Sequence, residues 1–126
     1  NYILRLADIL LFKAEAKVKT GAFGEATTLI NQIRSRAGLT PIATITSEAD
    51  GINKVLHERK LELAFEGHRW FDLKRTGKAI EILSNRRDQN GNILSYASKI
   101  NQNRLLWPIP QNQLDNNPNL TQNPGY

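Results

Sequence analysis

Residues 3–38 read ILRLADILLFKAEAKVKTGAFGEATTLINQIRSRAG. Wound at 3.6 residues per turn, Ile3, Leu6, Ala7, Leu10, Ala14 and Val18 fall near one stripe, with Arg5, Asp8, Lys13, Glu15 and Lys17 largely off it. That spacing predicts an amphipathic helix. Thr20-Gly21 supplies its stop, and Ala22, Ala26, Leu29, Ile30, Ile33 and Ala37 repeat the stripe up to Gly38. Two such helices joined by so short a turn must lie antiparallel. Ala14, Gly21, Phe23 and Ala26 follow the spacing of a tetratricopeptide-type hairpin, in which alanines admit close helix approach. Leu10 stands where that motif carries tryptophan, and one hairpin cannot bury its outer face alone.

The chain after the hairpin continues mainly as helix. After Gly38-Leu39-Thr40-Pro41, Ile42 to Thr46 reads as a linker whose β-branched Ile and Thr suit extended backbone. Ser47-Glu48-Ala49-Asp50 has capping-box spacing, with Asp50 expected to reach back to the Ser47 amide. A third helix is expected from about 48 to 66, with Ile52, Val55, Leu56 and Leu63, and beside them Leu61, Ala64 and Phe65, forming a wide apolar face up to Gly67. Residues 68–76 keep a helical register, Gly77 is a plausible cap, 78–84 gives a further short helix, and Asn90-Gly91 reads as a turn. At about residue 101 the composition changes: the last 26 residues hold seven Asn, four Gln and four Pro, with only Arg104 and Asp115 charged. Such a stretch has little helical propensity, and Leu105, Leu106, Trp107, Ile109, Leu114, Leu120 and Tyr126 are spaced to anchor it on the helices. The expected class is all-α: a hairpin over 1–38, a helical segment over 47–84 and an irregular Pro/Asn-rich tail over 101–126, packed on them.

Composition narrows the function classes. A chain of 126 residues with 40% hydrophobic residues is long enough for a real core without metal or disulfide. The lack of cysteine excludes thiol catalysis, zinc fingers and disulfide scaffolds. The lack of methionine, even at position 1, suggests a piece of a longer chain whose targeting signals lie upstream. No apolar run approaches the ~20 residues that span a bilayer. Seventeen Lys and Arg against twelve Asp and Glu give +5, but the signs are interspersed, which favours a solvated surface over nucleic-acid binding.

Few residues could carry chemistry. Glu58, Glu62 and Glu66 recur every four residues beside His57 and His68. No E-x-x-H spacing suited to a di-iron bundle occurs, and Leu61 occupies the second ligand position of H-E-x-x-H, so no metal or other cofactor is expected. Glu66 with Arg69 and Asp72 with Arg75 are i, i+3 partners. A salt-bridge lattice accounts for them better than acid–base catalysis, because no nucleophile or polarising group stands nearby. Trp70, among Phe65, Phe71 and Leu73, is expected in the core. Trp107, before Pro108 in a polar segment, is either a docked anchor or an exposed stacking platform, and it is the single ligand-binding candidate.

Four segments resemble the C-terminal part of the SusD/RagB family of outer-membrane nutrient-binding lipoproteins. They are RLADILL (5–11) with AEA (14–16), INQIRSRAGL (30–39), ERKLELAFEGHRWFDL (58–73), and LWPIP (106–110) running to NPNLTQNPGY (117–126). The resemblance implies a largely α-helical protein on tetratricopeptide-like hairpins, anchored through an upstream lipid absent from this chain and exposed at the outer-membrane surface. Such a protein captures oligosaccharides or similar nutrients, hands them to a TonB-dependent transporter and catalyses no reaction. It also implies that Glu58, Glu62, Glu66, Arg69, Trp70 and Asp72 hold the fold together rather than touch ligand. The hairpin spacing by itself suits an alternative, a protein–protein interaction scaffold.

Overall fold

A computed structural model describes residues 4–126; Ile3, the first member of the expected stripe, lies outside the described residues. Among the described residues there are six α-helices, α1 (Leu6–Lys19), α2 (Phe23–Arg36), α3 (Glu48–Glu62), α4 (Arg69–Arg75), α5 (Ala79–Leu83) and α6 (Gln111–Asn116), with 3-10 turns at Ala97–Lys99 and Asn103–Leu105. No strand occurs among the described residues, and an isolated antiparallel bridge joins Arg87 to Ile93. One compact unit ends at Arg69 and a second runs from Trp70 to Tyr126.

In the first unit α1 packs on both α2 and α3. The α1–α2 turn closes because Gly21 takes φ +78°, a left-handed conformation that glycine enters without a Cβ clash. The Ala22 amide then donates back to the Lys17 carbonyl at 2.8 Å. Ala14 and Ala26 are fully buried, as the hairpin spacing requires, and with Leu11, Val18, Ile30, Ile33, Val55 and Leu56 they form the core. Residues 42–46 are irregular rather than strand. They are nevertheless fastened: Ile45 is buried and its amide donates to Thr27 Oγ1 at 3.0 Å, while the Asn31 amide group bonds both the N–H and the carbonyl of Ile42. Gly51 faces Val18 and Ile45 so closely that a Cβ there would stand 2.6 Å from both Val18 methyls.

Ser47 caps α3, accepting from the Asp50 amide at 3.2 Å, but Asp50 reaches the Thr46 amide rather than that of Ser47. The helix ends at Glu62, four residues before the expected 66. Phe65 takes φ +65°, rare for a bulky residue, so the apolar face expected of one continuous helix divides. Ile52, Val55, Leu56 and Leu63 are buried, whereas Leu61 is exposed and Phe65 stands fully in solvent at 108% of its reference exposure.

The second unit has a smaller core, with Leu73, Ala79 and Ala97 buried. The Asn90-Gly91 turn forms as expected, with Asp88 Oδ1 accepting from the amides of Asn90 and Asn92 at 2.8 and 2.9 Å. Most of 101–126 is irregular. Within it, α6 is a helix that propensity alone does not give; Pro110 precedes its first turn and Gln111 donates to Asp115 at 2.8 Å along it.

Candidate functional site

The charged motif residues of the first unit form a clamp. Glu58 accepts from Arg34 at 2.9 Å, and Glu62 from Arg36 at 2.6 Å and Arg5 at 2.5 Å. Glu66 takes the Arg5 fork at 2.7 Å, and Arg5 Nη2 also donates to the Glu62 carbonyl. The Glu66 hydrogen bond, then that of Glu62, raises the Arg5 pKa, while Arg5 holds the Glu66 carboxyl below its usual range. The expected Glu66–Arg69 pairing is replaced because the turn at 63–68 interrupts the helix, so i, i+3 spacing no longer places the two on one face. Arg69 instead donates to the Leu56 carbonyl at 3.1 Å. In the second unit Asp72 is buried and pairs with Arg75 at 2.8 Å, as its spacing predicts. All three glutamates of the ladder are thus held by guanidinium groups from α2 or the residue before α1. Among the described residues no group of three or more His, Cys, Asp or Glu side chains could hold a metal ion.

Sequence reasoning missed the deepest ion pair. Asp8 and Arg59 are each 1% exposed, with Nη1 2.7 Å from Oδ1. The contact is close but off the hydrogen-bond line, and no second donor reaches the carboxylate among the described residues. The Arg59 guanidinium lies 4.1 Å from the centroid of Phe12. Asp8 lies off the single apolar stripe read for α1, and it is buried because α1 packs on both α2 and α3.

The two tryptophans line one hollow in the second unit. Trp70, expected in the core, is half-buried; it forms one wall of a hollow of about 260 Å³ whose other walls are Arg104, Leu106, Trp107 and Tyr126. Trp107 is 82% exposed, so its ring is not docked as an anchor within this unit. The backbone carrying it is strapped by the chain end. Asn123 Nδ2 donates to the Trp107 carbonyl at 2.6 Å and the Tyr126 hydroxyl to the Leu106 carbonyl at 2.9 Å, while Gln122 bonds both the N–H and the carbonyl of Ile109. The Arg104 guanidinium lies 4.7 Å from the Tyr126 ring centroid. Such a hollow offers aromatic faces and a fixed cation, and it holds no nucleophile or general base. Of the residues expected to anchor the tail, Leu106, Trp107, Leu120 and Tyr126 are instead exposed, Leu106 and Tyr126 at 49% and 45%; the place of Arg104 was not legible, since nothing local brings residue 104 to residue 126.

Comparison with known proteins places this geometry. The SusD family model matches residues 1–126. SusD-like protein P38 of Formosa agariphila is 39% identical over 135 residues, covering 100% of this chain and 25% of its own length. The starch-binding protein SusD of Bacteroides thetaiotaomicron is 35% identical over 127 residues, covering 98% of this chain and 21% of its own length. A solved SusD superfamily protein from Bacteroides vulgatus superposes with a TM-score of 0.78 at 33% identity, over 98% of this chain and 27% of that one. The chain thus spans about a quarter of the length of these relatives. With a family match along its whole length, a shared helical fold and the expected motifs in order, the chain belongs to the SusD family.

Proposed function

We propose that this chain is part of a protein that binds oligosaccharide nutrients at the outer-membrane surface and passes them to a TonB-dependent transporter without chemical change. The full protein would be held there by a lipid anchor. Family membership and the printed activity of the Bacteroides thetaiotaomicron relative, starch binding, support this reading. The observation that carries a contribution from this segment is Trp107, an exposed ring on a backbone fastened from the chain end, beside Trp70 and Tyr126. Aromatic faces stack on the apolar faces of sugar rings, and a ring already fixed loses little entropy on binding.

Calorimetric titration of the protein with a panel of oligosaccharides tests it. Saturable heat that Trp107→Ala weakens by about two- to twelvefold is expected, stacking of this kind contributing ~0.5–1.5 kcal/mol. Unchanged binding in Trp107→Ala would remove this hollow from the site. The scaffold alternative has its own support, an apolar hollow of about 400 Å³ in the first unit between α1 and α2, floored by Leu6, Leu10 and Ile33. It predicts that Leu6→Glu abolishes capture of a helical peptide and leaves saccharide binding intact.

A further inference from the structure

Arg104 borders two hollows rather than one. On one side stand Trp70, Trp107 and Tyr126; on the other, Tyr96, Lys99 and Asn101 line a second hollow of about 390 Å³. The two share Arg104, so four aromatic rings and two cations border one pair of adjoining sites. No acidic side chain lines either hollow.

The charge balance around them is one-sided. Residues 70–126 contain seven Lys and Arg against four Asp and Glu, and every one of those four carboxylates is engaged elsewhere. Asp72 pairs with Arg75, Glu81 with Lys78 at 2.8 Å, Asp88 closes its own turn and Asp115 accepts from Gln111. Arg104 and Lys99 have no carboxylate partner among the described residues. A guanidinium stacked on a ring keeps the N–H donors at its edge available, in the fork geometry that matches a carboxylate or sulfate.

Resting on the oligosaccharide reading above, we infer that these adjoining hollows take an acidic oligosaccharide: sugar rings stack on Trp107 and its aromatic neighbours, while Arg104 and Lys99 hold a carboxylate or sulfate substituent. Neutral glycans would use the rings and leave the two cations unpaired.

Tryptophan fluorescence titration at low and high salt, with trigalacturonate, a sulfated carrageenan oligosaccharide and maltotriose, separates the possibilities. At least one acidic probe should bind about tenfold or more tighter than maltotriose, with the gap closing in high salt; which one identifies the anion. Arg104→Gln with Lys99→Gln should weaken the acidic probe by about tenfold or more and maltotriose by far less, so that the preference disappears. Arg104→Lys, which keeps the charge but loses the fork, should retain part of it, and an unchanged melting temperature shows that the fold survives. Maltotriose binding as tightly as the acidic sugars, or a preference that outlives the double substitution, overturns the inference and leaves the oligosaccharide reading standing. Tighter binding of a short single-stranded oligothymidylate than of any saccharide overturns it in favour of nucleic acid. No binding of any saccharide removes both readings.

Discussion

Replacing Arg59 with methionine keeps most of the side-chain volume and removes the cation, leaving the Asp8 carboxylate 1% exposed with no other donor in reach among the described residues. At 2.7 Å and an effective dielectric of about 20, the attraction that disappears is ~6 kcal/mol before desolvation is counted. Removing one partner of a buried pair costs ~3–5 kcal/mol in practice. For a domain of this size that is a fall of roughly 12–20 °C in melting temperature, a large share of its total stability. Part of the loss comes from the Phe12 ring, which gives up its cation. The charge term is isolated by adding Asp8→Leu to the Arg59→Met chain: with no orphaned carboxylate left, the double variant should be more stable than Arg59→Met alone. Melting followed by far-UV circular dichroism reads all four chains of the cycle. A loss below ~1 kcal/mol in Arg59→Met, or a double variant whose loss is the sum of the two singles, would show that the pair is not coupled as the geometry requires.

Two further outcomes follow from the same unit. Gly51→Ala should lose about 1–2 kcal/mol, because a Cβ 2.6 Å from the buried Val18 methyls overpacks the core by more than the ~1 kcal/mol gained in helix propensity; a more stable variant in urea melts refutes the close approach, and added Val18→Ala should relieve the loss. Glu66, held below its usual 4.5 chiefly by the Arg5 hydrogen bond, contributes stability that is present above its unfolded pKa and disappears as pH falls through the lower folded one. Glu66→Gln should therefore be the less stable chain at neutral pH, with the two melting temperatures converging on acidification; a gap that stays constant from pH 7 to about pH 3 removes the Glu66 carboxylate as its cause.

What could be read from the sequence was local. The α1 and α2 stripes, the turn at Gly21 and the burial of Ala14 and Ala26 are properties of residues within one turn or two of each other, and they formed as expected. Pairings across long separations were not readable. Glu66 has Arg69 three residues away in the chain, yet takes Arg5 at a separation of 61, because helix α3 stops where Phe65 turns left-handed. Asp8 was misplaced for the same reason, its partner lying 51 residues on. At the candidate site, Trp107 stood out as an aromatic in polar surroundings. The hollow around it did not, because Arg104 and Tyr126 meet only when the tail doubles back on Leu106 and Trp107.

The Arg5 clamp sets an order of assembly. Its acceptors Glu62 and Glu66 lie 57 and 61 residues downstream, whereas α1 and α2 are joined by a turn and can pair as soon as both are made. Contacts of large sequence separation form late, since the loop must close before they reward it. During synthesis the hairpin is therefore expected first, with Arg5 in solvent until the segment through Glu66 has left the ribosome. Closing the clamp then ties the start of α1 to the turn beyond α3 across a separation of 61 residues.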